Sequence, residues 1–220
     1  MRPILMLAAV MILLRGEASA QQQSRCADCH FANMQQSFAL HVNDWDLSAH
    51  SRAKVTCDRC HGGDPTTFER SQAHRAMVRP SNPTSPLNSI NIPRTCGGCH
   101  AGPFVAFQKS KHYELGRNGN RDVPVCTTCH GDAGSNILSP KGLESQCASC
   151  HGVGKAFPHP EYPPNARLMI QGIRDARSLL KEAKGMITRV SDRTRRARLE
   201  QAAQQVDVPL TEATYAGHQF

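Results

Sequence analysis

The chain has 220 residues, a formal net charge of +8 and only 5% aromatic residues, but ten cysteines and eleven histidines. The aromatic content is too low for a large conventional core. The positive charge is uneven, because residues 21–166 carry +3, residues 167–198 carry +7 and residues 199–220 carry −3. A positive charge of this size invites a nucleic-acid-binding interpretation, which the acids contributed by the groups that the motifs below bind argue against.

The N-terminal twenty residues have the pattern of a secretory signal peptide. Arg2 supplies the positive start, Ile4–Leu14 is an apolar run, and Ala18-Ser19-Ala20 is a small-residue cleavage site. The apolar run is too short to cross a bilayer. We therefore expect an exported, periplasmic or extracellular protein that begins near Gln21, and no membrane span in the mature chain.

All the cysteines occur in five Cys-x-x-Cys-His motifs, the pattern that attaches c-type haem. Within each motif two thiols share one helical turn and can form thioethers with haem vinyl groups, and the following histidine is the proximal iron ligand. The predicted covalent attachment residues are Cys26, Cys29, Cys57, Cys60, Cys96, Cys99, Cys126, Cys129, Cys147 and Cys150, and the predicted proximal ligands are His30, His61, His100, His130 and His151.

Two other uses of these cysteines are weaker. Zinc ribbons pair Cys-x-x-Cys motifs into four-cysteine sites, and five motifs leave one without a partner. Disulfides suit an exported chain, but they give no reason for a histidine after every second cysteine. The sequence therefore favours five covalently attached haem c groups as cofactors.

Residues 21–164 contain the motifs together with breaks such as Pro80–Pro86 and Phe157–Pro164. Roughly 40 residues per haem are too few for five separate protein cores. We expect one compact five-haem domain, mainly α with much irregular structure, whose apoprotein is largely unfolded. The haem propionates bring acids that offset the basic composition.

The character of the chain changes after Pro164, and residues 165–220 are predicted to form an amphipathic helical tail. One apolar seam runs down its first helix, through Met169, Ile173, Ala176, Leu180, Ala183, Ile187 and Val190. We expect Ser191–Arg196 to interrupt this helix, Ala197–Val206 to form a second piece, and Pro209 to start a last short helix that ends near His218. The tail either covers the haem core as a hairpin or extends from it as a dimer-forming coiled coil. Its basic surface is either a solvated face or a docking site for an acidic redox partner.

Six histidines outside the motifs are candidates for the five distal positions. His50 and His112 share a Ser-x-His pattern, His74 lies between the second and third motifs, and His218 ends the tail. His41 and His159 compete for the remaining place. Met34, Met77 and Met169 are alternative thioether ligands, although core packing suits them better. Histidine ligation on both sides of most or all irons predicts low potentials and no open site for a substrate.

Some of these motifs resemble the multihaem cytochrome c superfamily of tetrahaem cytochrome c, hydroxylamine oxidoreductase and pentahaem nitrite reductase. The resemblance rests on Trp45–His50, Val55–Gly63, Phe107–His112 and a helical segment that ends in Gly217–Phe220. It implies that the Ser-x-His histidines are distal ligands and that the haems pack closely. The chain departs from the nitrite reductases because it has no Cys-x-x-Cys-Lys motif and is about half their length.

Three functions compete at this point. The first is a soluble pentahaem electron carrier between redox partner proteins, which needs no catalytic residue. The second is an oxidoreductase for a small nitrogen or sulfur compound at one five-coordinate haem. The third is a structural or sensory haem protein. The supply of histidines for all the irons favours electron transfer.

Overall fold

The computed structural model describes residues 24–32, 36–133 and 138–219. The predicted signal peptide and Met34 lie outside these ranges. Within them the chain is mainly helical and has no strand, which confirms the predicted fold class. The helices are α1 Arg25–Ala32, α2 Gln36–Asp46, α3 Ala49–Arg52, α4 Asp58–His61, α5 Arg70–Ala73, α6 Ile92–Gly97, α7 Ala101–Phe107, α8 Lys111–Arg117, α9 Cys126–His130, α10 Pro140–His151, α11 Tyr162–Ile187 and α12 Arg193–Ala216.

The first ten helices are short, and several are started by a capping side chain. The hydroxyl of Ser48 accepts hydrogen bonds from the backbone N–H groups of His50 and Ser51, and that of Ser110 accepts one from Tyr113. Both serines are 2% exposed. The serine of each Ser-x-His pattern is thus an N-cap, and the histidine follows in the first turn.

Few apolar side chains are buried in this structure. The buried hydrophobic residues of the described ranges are Ala27, Val42, Ala106, Ala166, Ile187 and Ala203. Four of the six are alanines, which bury little surface, so contacts between protein groups contribute little hydrophobic stabilisation. The segments around the five motifs therefore depend on other apolar material for their packing.

Helices α11 and α12 form a hairpin, which we call the arm (residues 162–216); the preceding described residues form the motif core (24–161). Along α11, Ile173, Leu180 and Ala183 are half-buried and Ile187 is buried, as expected for an apolar seam that faces α12. Met169 and Ala176, predicted for the same seam, are exposed. An ion pair of 2.8 Å between Lys184 Nζ and Asp207 Oδ2 also joins the two helices.

The predicted division of the last segment into two helical pieces is wrong. The helix α12 is continuous from Arg193 to Ala216, with Pro209 in its interior. The interruption is reduced to residues 188–192, because the Asp192 carboxylate accepts a hydrogen bond from Arg195 N–H and starts the helix early. Proline costs a backbone hydrogen bond inside a helix, and the packing of α12 against α11 and α7 offsets that cost.

Within the described residues, the arm contacts the motif core along the first half of α11 and at the end of α12. At its start, Arg167 Nε lies 2.8 Å from Glu144 Oε2 of α10, and Arg174 donates to the carbonyl oxygen of Leu138. At its end, the ring of Tyr215 lies against Gly102 of α7. Among the residues described, no helix has the length and apolar character needed to cross a membrane.

Candidate haem-binding sites

Two of the motifs form single helical turns that end at the proximal histidine. In α4 the His61 N–H donates to Cys57 O at 2.9 Å, and in α9 the Gly131 N–H donates to Thr127 O at 2.9 Å. Gly62 and Gly131 follow the histidines with φ values of +72° and +73°. Because this left-handed conformation favours glycine, the chain can turn away directly after the ligand.

The first three motifs are neighbours in space. The Ser24 hydroxyl, two residues before the first motif, donates to Cys57 Sγ of the second at 3.9 Å. Burial raises the pKa of the Cys57 thiol, and the nearby Cys26 adds to this increase. Burial likewise raises the pKa of Cys60, with further increases from Cys96 and Cys99 of the third motif.

The contacts continue to the end of the array. A hydrogen bond between the thiols of Cys96 and Cys126 raises the pKa of Cys96 and lowers that of Cys126. Burial raises the pKa of Cys129, and Cys147 of the fifth motif adds to the increase. Each motif therefore lies beside the next one along the chain, in an unbroken series from the first to the fifth.

Each proximal histidine has a second histidine ring close by, and each second ring comes from outside the motifs. The distances between ring centroids are 6.1 Å for His30 and His74, 5.7 Å for His41 and His61, 5.9 Å for His50 and His100, 6.2 Å for His130 and His218, and 6.0 Å for His112 and His151.

This spacing fits a metal ion between the two rings of each pair. Two metal–nitrogen bonds of about 2 Å, with each ring centroid slightly more than 1 Å behind its nitrogen, place the centroids about 6 Å apart. Rings in direct stacking contact would be closer, as His159 and Tyr162 are at 4.5 Å. The five separations are therefore compatible with an iron between two imidazole ligands, and edge-to-face ring pairs such as Phe104 and Tyr113 also lie 6.0 Å apart.

Backbone carbonyl groups orient several of these rings. The Nδ1 atoms of His50 and His74 each lie 2.8 Å from a carbonyl oxygen, those of Ala133 and Arg70, and His218 Nδ1 lies 3.1 Å from Thr214 O. A carbonyl oxygen only accepts, so each Nδ1 carries the proton and Nε2 is left to bind a metal. No sequence pattern signals these carbonyl partners, because any residue type supplies them.

Burial also favours the neutral imidazole that a metal ion binds. It is the largest cause of a lowered pKa at His61 and at His130, and in both cases the neighbouring histidine rings add to the effect. Burial lowers the pKa of His30 in the same way, with smaller contributions from His74 and His41. These three proximal histidines are held in the deprotonated form required of a ligand.

The remaining histidine, His159, has a different environment. Its ring is stacked on Tyr162, its Nδ1 lies 3.3 Å from a carboxylate oxygen of Glu161, and its centroid is 6.0 Å from that of His151. His151 Nδ1 is itself 3.0 Å from the carbonyl oxygen of Phe157. Two non-motif histidines therefore lie equally far from the fifth proximal histidine.

The geometry of the described residues gives little support to the disulfide, zinc and methionine-ligand alternatives. The ten cysteines, all within the described ranges, form no disulfide. Nowhere in those ranges do three or more histidine, cysteine or acidic side chains converge as a single-ion site would require. Met77 and Met169 are each 39% exposed, and the five histidine pairs are formed without them.

One family model matches the chain, and it describes cytochrome c554 and c-prime. The match covers residues 9–62, about a quarter of the chain, and includes the first two motifs. It supports a c-type cytochrome. A cytochrome of this type carries covalently attached haem c and exchanges electrons with redox partners. Neither the curated proteins nor the solved structures contain a match to this chain.

Proposed function

We propose that the protein is an exported five-haem cytochrome that carries single electrons between redox partner proteins. The observation that carries the proposal is the second histidine ring at about 6 Å from every proximal histidine. With both axial positions taken, an iron has no place for a substrate and can only accept and release electrons. Bound haem supplies an iron that alternates between the ferric and ferrous states.

The proposed distal ligands follow from these pairs. In chain order of the five motifs they are His74, His41, His50, His218 and His112. In this pairing His41 is a distal ligand, a role for which composition and spacing did not distinguish it from His159. It also means that four of the five distal ligands come from segments that do not directly adjoin their motif.

For the fifth motif we propose His112 and not His159 as the distal ligand. The carbonyl oxygen of Phe157 accepts a hydrogen bond from Nδ1 of His151, and His159 lies only two residues after Phe157. The His159 ring is also engaged by Tyr162 and Glu161. His112, by contrast, lies in the first turn of α8, which Ser110 caps, and it approaches His151 from a separate segment of the chain.

The spatial order of the motifs supports transfer along the array. A hydrogen bond between the Cys96 and Cys126 thiols connects the third and fourth motifs, and electrostatic interactions between cysteines link the other consecutive motifs. An unbroken series gives electrons a path whose two ends are the first and fifth motifs. Redox partners should therefore dock near α1 and near α10.

The proposal is tested by the haem content and spin state of the mature protein. A haem assay should return five haems per chain, and low-temperature EPR of the oxidised protein should show only low-spin ferric iron. A stoichiometric high-spin signal that changes when nitrite, hydroxylamine or cyanide is added would favour the oxidoreductase instead. Fewer than five haems would contradict the attachment at all motifs.

Two matched variants test the assignment at the fifth motif. Replacing the distal ligand in His112→Ala should convert about one iron in five to the high-spin state, because one axial position opens. The control His159→Ala should leave every iron low-spin. The reverse result, with a high-spin signal only in His159→Ala, would exchange the roles of these two histidines.

A further inference from the structure

The loop end of the arm carries a dense group of arginines, which we call the arginine tip: Arg189, Arg193, Arg195, Arg196 and Arg198. Four of them are exposed, and Arg196 is half-buried. Within the part of the chain that the structure describes, Arg196 approaches Glu200 at 3.8 Å, and the other four form no ion pair. These charges are therefore not used to stabilise the hairpin.

The arginine tip lies away from the motif core. Within the described residues, the last hydrogen bond from α11 to the core is the one from Arg174 to Leu138 O, and the later residues of α11 that are not exposed face α12. At a rise of 1.5 Å per residue, the fifteen residues from Arg174 to Arg189 span about 22 Å. A partner that bound only the tip would be too distant for efficient electron exchange with the core.

The tip is basic on all sides. At 100° per residue, Arg193 and Arg196 lie on one side of α12, and Arg195 and Arg198 lie on the opposite side. A protein partner normally covers one face of a helix, and it needs about 800 Å² of complementary surface. Charges distributed around a helix end instead suit an end-on approach to a broad anionic surface.

The charge of residues 167–198 differs from that of the core, although three acidic side chains in residues 199–216 reduce the net charge of the whole arm to +4. Residues 167–198 contain ten basic and three acidic side chains. Residues 21–166 have only a small excess of positive charge, which haem propionates would reverse. An anionic surface should therefore attract the tip and repel the core, so that the molecule stands with the core away from the surface.

We propose that the arginine tip attaches the protein, end-on, to an anionic phospholipid membrane surface. A bilayer requires no shape complementarity, and each arginine near it strengthens binding by about fivefold. Met186, next to the tip and 64% exposed, adds an apolar side chain that can enter the headgroup region. The arm then works as a spacer that leaves both ends of the haem array accessible. The attraction of the tip does not depend on the haems, whereas the orientation of the core rests on the proposed haem content, because the propionates reverse the charge of the core.

The test is co-sedimentation of the mature holoprotein with lipid vesicles, followed by Soret absorbance in the pellet. We expect binding to phosphatidylcholine vesicles that contain about 30% phosphatidylglycerol at about 50 mM salt, and release at about 500 mM. Vesicles of phosphatidylcholine alone should not bind. Failure of the native protein to sediment with the anionic vesicles would overturn the proposal.

Three quadruple variants identify the residues and the type of recognition. Changing Arg193, Arg195, Arg196 and Arg198 to Gln should weaken binding at least ~100-fold, and changing the same four to Lys should alter it no more than about threefold. The matched control replaces Arg79, Lys109, Lys141 and Lys155, all exposed in the core, with Gln. The proposal is wrong if this control weakens binding as much as the tip variant. It is also wrong if the Lys variant loses binding, because attraction to a charged bilayer surface depends on the charge and not on bidentate guanidinium contacts.

Discussion

The motif core and the arm are built from the same chain by different means. The longest described helix of the core has 12 residues, whereas α11 and α12 have 26 and 24. In the core, histidines and cysteines from separate segments converge in pairs. In the arm, apolar side chains and an ion pair hold two long helices together.

The difference shows where each region obtains its stability. The core buries few apolar side chains of its own, so we expect it to gain much of its packing when haem is attached. The arm can form helix by itself, but a two-helix hairpin buries little surface and is marginal alone. The regions meet where Tyr215 contacts Gly102 and where His218 faces His130.

Loss of haem should have the largest effect on the difference between the motif core and the arm. If the chain is produced without haem attachment, hydrogen exchange should show amide protection in residues 24–161 falling by at least ~100-fold. The segments around Ile187 and Ala203 in the arm should keep part of their protection, because they are buried by helix packing. A haem-free chain whose core stays as protected as in the holoprotein would contradict the proposed role of the cofactor.

The second change acts on the connection between the two regions. The His218→Ala substitution should make about one iron in five high-spin, because it removes a proposed distal ligand. It should also raise hydrogen exchange at the end of α12, because the same side chain connects that end to the motif core. EPR and exchange measurements check the two effects separately. Gln219→Ala, an exposed neighbour, is the control and should change neither. A wholly low-spin His218→Ala protein would remove His218 from the ligand set.

A smaller effect is expected from Gly102→Ala. A Cβ at this position would come within 2.6 Å of the Tyr215 ring, so the ring or the end of α12 must shift. We expect a loss of about 1–2 kcal/mol in the stability of the contact, seen as faster exchange in residues 210–218. An unchanged exchange rate would show that Tyr215 does not attach the arm here.

The control for this variant is Gly172→Ala in α11, where an added Cβ meets nothing within 4 Å. Alanine has the higher helix propensity, so this change should stabilise α11 by about 0.5–1 kcal/mol. A loss of stability in Gly102→Ala together with a gain in Gly172→Ala would distinguish the attachment of the arm to the core from the helix stability of the arm itself.

Local sequence predicted the apolar seam of α11 in part, because it begins to face α12 at Ile173 while the predicted Met169 and Ala176 are exposed. The N-caps at Ser48 and Ser110 were not predicted, because the Ser-x-His pattern indicated only candidate ligands. Local sequence failed at Pro209, because a proline normally starts a helix and the cost of placing it inside α12 is offset only by packing against other segments. Spacing also could not separate His41 from His159, since either lies within reach of a motif.

The sequence by itself determined the cofactor chemistry, because five Cys-x-x-Cys-His motifs contain all the covalent information that attachment needs. It also determined the mainly helical character of the chain and the position of its basic excess. Only the tertiary structure paired each proximal histidine with a partner, ordered the five motifs in space and placed the arginine tip at the far end of the arm. Such contacts join residues distant along the chain, and distances between them depend on how the segments pack, which no local pattern specifies.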